Sequence, residues 1–107
     1  LMHEPDISQE IVLNAQALID ETGSFLEAVR YLAQVRFQAN VDRIDSEIML
    51  FAGIDSLTDH LPSQEVEKFC SPAWLAKCAE EVRQVKAFYK ADIASACRNL
   101  IAKYSRD

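Results

Sequence analysis

Apolar residues recur every three or four positions along almost the whole chain, the period of a helix face rather than the alternation of a strand. Three runs carry this pattern. In the first, Ile7, Ile11, Ala15, Leu18 and Ile19 share one face, with Val12 beside them. Asp6, followed three residues on by Gln9, marks its start, because side chains at these positions satisfy the first free backbone N–H groups of a helix. Thr22-Gly23 stops the run through a residue tolerant of positive φ.

The second run opens on Ser24 and Glu27, a capping box placed directly after that glycine, so the turn is short and the two helices are antiparallel neighbours. Leu26, Val29, Ala33, Phe37, Val41, Ile44, Ile48 and Phe51 then keep helical spacing, which permits one helix as far as Phe51. Asn40, Asp42, Asp45 and Ser46 lie in mid-run, and such side chains compete for the backbone and favour caps and turns. The expectation is a break between Asn40 and Ser46.

From Phe51 to Pro62 the pattern is interrupted by Gly53, Asp55, Asp59, His60 and Pro62, and this stretch reads as a connector. Ser63 can cap a short helical piece over Gln64 to Phe69. Ser71-Pro72 is a strong start signal for the third run, an N-cap followed by proline at the first helical position. Leu75, Cys78, Val82, Val85, Tyr89, Ile93, Ala96, Leu100 and Tyr104 then step by three or four, predicting one long C-terminal helix of some thirty residues, about 45 Å. Trp74 and Phe88 widen the stripe on one flank, Cys97 and Ile101 on the other. The first helix, at roughly 22 Å, covers only half of it. The connector, the segment Ile48 to Phe51 and a second copy of the chain are the candidates for the rest. The fold class is therefore all-α, an up-down-up bundle of three principal helices with a short extra segment, in a single domain over 1–107.

Composition adds limits rather than a function. At 107 residues, with half of them apolar and only two glycines, the chain supports one modest core and has little room for β-turns or glycine-rich phosphate loops. The net charge of −6 is uneven: residues 1–71 hold 4 basic and 13 acidic side chains, and residues 72–107 hold 7 and 4. An acidic protein lacks the electrostatic footprint of a phosphate-backbone binder, so no nucleic acid is expected as a partner. No apolar run approaches the roughly 20 residues that span a bilayer, and no membrane partner is expected. Three cysteines without metal-ligand spacing, and the lack of a charged-then-apolar leader, make a reduced cytoplasmic setting the expectation.

Candidate chemistry is confined to a few side chains. Asp55, Asp59 and His60 offer oxygen and imidazole donors suited to a metal or to acid–base work, the basis for a metal-assisted hydrolase as the alternative function. A helical-bundle dimetal site uses Glu-x-x-His pairs, and the chain has none. The structural reading has Asp55 or Ser56 capping one turn over Leu57 to His60, with Ile54, Leu57 and Leu61 in the core. His60 is the one credible base for a nucleophile, yet Cys78 and Cys97 fall on the apolar side of the third run and read as core, with Cys70 just outside it. Arg83, Lys86 and Lys90 form a flank that faces solvent or the acidic earlier helices. Trp74 reads as a core anchor whose indole N–H needs a partner when buried.

The motifs Gly53-Ile54-Asp55-Ser56 and Thr58-Asp59-His60-Leu61-Pro62, followed by Trp74-Leu75 and Ala96-Cys97-Arg98-Asn99-Leu100, resemble a family of small bacterial helical proteins classed as a domain of unknown function. Leu26-Glu27-Ala28-Val29-Arg30 and Phe51 fit it as well, so the likeness runs from about Ser24 onward. Leu57 stands where the family pattern has glutamate, and Gln64 where it has glycine. The resemblance implies the helical fold and weight on the connector, and supplies no activity. The expected function is a non-enzymatic protein–protein interaction module without cofactor, in its specific form an acidic inhibitor of immunity type. Its expected partner is another protein, or a second copy packed through the C-terminal helix, and its candidate binding residues are Asp55, Asp59, His60 and Trp74.

Overall fold

The computed structural model describes residues 7–38, 41 and 45–105. Six α-helices carry nearly all of them: α1 (Ile7–Asp20), α2 (Phe25–Gln34), α3 (Ser46–Thr58), α4 (Gln64–Glu67), α5 (Pro72–Phe88) and α6 (Lys90–Tyr104), with a 3-10 turn at Val35–Phe37. The described residues contain no strand. The all-α bundle expected from the hydrophobic period is the observed fold.

α1 packs on α2 and α6, α2 on α3, and α3 on α6. These four helices enclose Ile11, Ala15, Val29, Leu32, Ile48, Phe51, Ile54, Cys97 and Leu100, each at most marginally accessible. Burial of such side chains is worth about 1.5–3 kcal/mol apiece and supplies the main drive for the packing. The Ser24 hydroxyl accepts from the Glu27 amide at 3.2 Å, the N-cap half of a capping box, and only four residues separate α1 from α2. α1 itself ends before Gly23: Glu21, two residues earlier, takes the left-handed conformation at φ 55°, and the Thr22 amide closes back on the Ala17 carbonyl at 3.0 Å. Gly23, at φ 68°, then supplies a second left-handed turn. The start signal at Asp6 and the mid-run residues Asn40, Asp42 and Ile44 lie outside the described residues.

Three particulars differ from the sequence reading. The second run leaves the α-helix at Gln34, before the expected break, and helix resumes at Ser46 with Asp45 as its N-cap. The stretch beginning at Phe51 is not a connector as far as Thr58 but the second half of α3. Gly53 costs about 1 kcal/mol in a helix interior relative to alanine, yet Ile48, Phe51, Ile54 and Thr58 line one fully buried face, and that burial outweighs the propensity. Finally, the third run is interrupted at Tyr89, whose φ of −98° and ψ of 9° fall outside helical values. No proline or glycine marks the place. The interruption coincides with a change in cover: α6 buries Ile93, Ala96, Cys97 and Leu100, whereas α5 buries only Cys78.

α5 is consequently the least embedded of the long helices. The radius of gyration, 14.5 Å, exceeds the roughly 13 Å usual for this length. The half-cover that the length of the first helix foretold is thus real, and it divides at Tyr89. Ala96 and Leu100 belong to the intramolecular core, so a surface for a second copy does not run through them.

Candidate interaction surface

The C-terminal end of α3 is organised by a side chain of α2. Arg30 extends from α2 and donates from Nη2 to the Thr58 carbonyl at 3.1 Å and to the Leu61 carbonyl at 2.9 Å. The Thr58 carbonyl is at the negative end of the α3 dipole, where a guanidinium is favoured, and the Leu61 carbonyl belongs to the turn that follows. Its Nε lies 3.9 Å from Asp55 Oδ1, so Asp55 steadies Arg30 from inside α3 and is not an N-cap. The expected capped turn over Leu57 to His60 is absent because α3 simply continues. The Thr58 hydroxyl satisfies itself on the Ile54 carbonyl at 2.8 Å, which lets a polar residue be fully buried.

Ile54 and Leu61 are in the core as expected, while Leu57 is 54% exposed. Asp59 caps the C-terminal end of α3 and is exposed, and the His60 imidazole hydrogen-bonds Glu81 of α5. His60 therefore ties α5 to the end of α3. Of the four candidate residues, Asp55 and His60 have partners on other elements, and they turn in different directions, towards α2 and α5. Among the described residues no three His, Cys, Asp or Glu side chains gather as metal ligands.

Trp74 is not a core anchor. It sits in the first turn of α5, where the Ser71 hydroxyl accepts from its backbone amide at 3.1 Å, and its side chain is 46% exposed. The cap fixes the helix start and leaves the indole outside. Just before it, α4 is a single turn that buries nothing, so Val66 and Phe69 have no core to join. Phe69 is 80% exposed, with the Lys68 ammonium 5.3 Å from its ring centre. Leu57, Val66, Phe69 and Trp74 thus place four large apolar side chains at the surface within eighteen residues. The same stretch of chain also exposes Asp59, Glu65 and Glu67, against Lys68 alone among Lys and Arg.

Two of the three thiols, Cys78 and Cys97, are buried and offer no nucleophile at this surface. Burial pushes the Cys78 thiol up, and Cys70, Glu81 and Glu67 add to the rise. Burial pushes Cys97 up to about 12. Both behave as small apolar residues, as their places in the third run suggested.

Glu81, Val66 and Phe69 were not singled out by sequence reasoning, and Arg30 entered only as part of a quoted motif with no role attached. For Phe69 a signal existed: an aromatic between Ser63 and Ser71, in a piece too short to bury it, is an exposed aromatic. Arg30 gave none, since its partners are backbone carbonyls 28 and 31 residues away. No family model, no curated protein and no solved structure matches the chain.

Proposed function

We propose that this chain is a protein-interaction module that binds a basic partner through the surface running from the end of α3 over α4 to the first turn of α5. The observation that carries the reading is the exposure of Phe69 and Trp74 on a stretch of chain that also exposes Asp59, Glu65 and Glu67. Aromatic anchors supply most of the binding energy of protein interfaces, and surrounding carboxylates select and steer a positively charged partner. The net charge of −6 acts in the same sense over longer range. An inhibitor of a basic protein is the specific form this takes, and the resemblance to a bacterial helical family without assigned activity is compatible with it. Three free cysteines suit a reducing, cytoplasmic setting. No helix among the described residues is long and apolar enough to cross a membrane.

A second copy is the less favoured occupant of this surface. In a two-fold dimer the same carboxylates would face one another. The hydrolase reading has no support in geometry, since Asp55 and His60 are engaged with Arg30 and Glu81 on different elements.

The test is affinity capture from a bacterial lysate with the wild-type chain and with the double variant Phe69→Ser/Trp74→Ser. The expected result is a basic protein retained by the wild type, released as salt rises, and lost with the double variant at unchanged melting temperature. Retention of the same protein by the double variant refutes the surface, and an acidic or salt-insensitive partner refutes the electrostatic part.

A further inference from the structure

On the other side of α5 lies a cleft of about 600 Å³ between the C-terminal end of α1, Phe25 and the α5–α6 run. Its size falls within the roughly 300–1,000 Å³ of small-molecule sites. The floor and walls are apolar, built from Leu18, Ile19, Phe25, Val82, Ile93 and smaller alanines. Its charged lining inverts the sign of the whole molecule: Arg83, Lys86 and Lys90 stand against Glu21 alone.

These cations are unequally engaged. Arg83 is hydrogen-bonded to Glu80, one turn back on α5. The Lys86 ammonium is 3.5 Å from the exposed Glu21 carboxylate and 5.6 Å from the Phe25 ring centre. Lys90 has no ion pair among the described residues. An apolar trough with two accessible ammonium groups at its edge matches one ligand chemistry, a hydrocarbon tail ending in an anion. An amphipathic helix is too bulky: at 10–12 Å across, a 600 Å³ space holds about one and a half of its turns or less.

We propose that this cleft binds a free single-chain carboxylate amphiphile of medium length, with its tail along Ile19, Phe25 and Val82 and its carboxylate between Lys86 and Lys90. The ligand carboxylate replaces Glu21 as the partner of Lys86. This site is separate from the α4–α5 surface and stands or falls without it.

The experiment is calorimetric titration of the full chain with octanoate, decanoate, decan-1-ol and decyltrimethylammonium, each below its micelle concentration. Affinity should rise roughly fourfold for each added methylene until the trough is full. Decanoate should bind at least tenfold more tightly than the cationic decyl compound. Lys90→Glu should weaken decanoate about tenfold or more while leaving decan-1-ol within twofold. Ala87→Trp, which fills the trough from an exposed position, should abolish binding of both. Amide shift mapping with decanoate should move Ile19, Phe25 and Ile93. Equal affinity for anionic and cationic decyl compounds overturns the proposal, as does an unchanged decanoate affinity in a folded Lys90→Glu variant. So does mapping to residues 57–74, or association with anionic phospholipid vesicles in place of free decanoate.

Discussion

Replacing Arg30 with alanine removes a side chain that joins α2 to the end of α3 by hydrogen bonds. Its Nη2 serves two carbonyls, of Thr58 and Leu61, at 3.1 and 2.9 Å, and the side chain is only 20% exposed. A hydrogen bond from a charged donor contributes about 1.5–3 kcal/mol. Because one nitrogen serves both acceptors and part of the guanidinium meets solvent, the loss should total about 2–4 kcal/mol, a large share of the 5–15 kcal/mol typical of such domains. Arg30→Lys keeps the charge but replaces a rigid fork with a point charge, and should recover about half of that. Asp55→Asn should cost no more than about 1 kcal/mol, since the pair is 3.9 Å long and partly exposed. The assay is urea unfolding at neutral pH with linear extrapolation, supported by unchanged slopes. If Arg30→Ala costs less than 1 kcal/mol, or Asp55→Asn costs more than Arg30→Ala, Arg30 is not the residue that holds the end of α3.

Two further outcomes follow from the same structure. Asp45 caps α3 by accepting from the Glu47 and Ile48 amides at 2.9 and 3.2 Å and also binds Lys103 of α6. Burial pushes its carboxyl up, but Lys103 and the two amides more than reverse this, and the net displacement is downward. A carboxyl lowered by folding stabilises above its unfolded value near pH 4 and loses that contribution as pH falls through the lower folded value. Wild type should therefore lose stability on acidification relative to Asp45→Asn, and at neutral pH Asp45→Ala should cost about 0.5–2 kcal/mol, with Asp45→Asn retaining most of the cap; equal acid sensitivity of wild type and Asp45→Asn in thermal melts would contradict the assignment. Cys97, buried and with its thiol pushed up to about 12, should resist disulfide-exchange reagents in the native state at pH 8, while part-exposed Cys70 reacts. Labelling of Cys97 at the rate of Cys70, followed by mass spectrometry, would show that α6 opens locally.

The helix class, the turn at Gly23 and Ser24, the start at Ser71 and most of the core were legible along the chain, because caps and a 3.6-residue period are local properties of sequence. Ile11, Ala15, Val29, Ile54, Leu61, Cys97 and Leu100 all lie where their spacing placed them. What misled was also local. Gly53, Asp55 and Asp59 carry the propensities of a loop, but α3 runs through the first two because its other face is sealed against α2 and α6. Tyr89 carries no breaker signal, yet the helix is interrupted there, at the point where cover by α1 and α3 begins. The candidate surface divides in the same way. Asp59 and Trp74 are exposed as a partner site requires, whereas Asp55 and His60 take partners from distant segments that no spacing rule connects. Periodicity determines which side of a helix is apolar; which neighbour covers it, and for how many turns, depends on the packing of all the helices at once. Only the tertiary structure therefore decided that α6 is buried, that α5 is not, and that Phe69, Trp74 and the cleft beside Lys86 are left facing solvent.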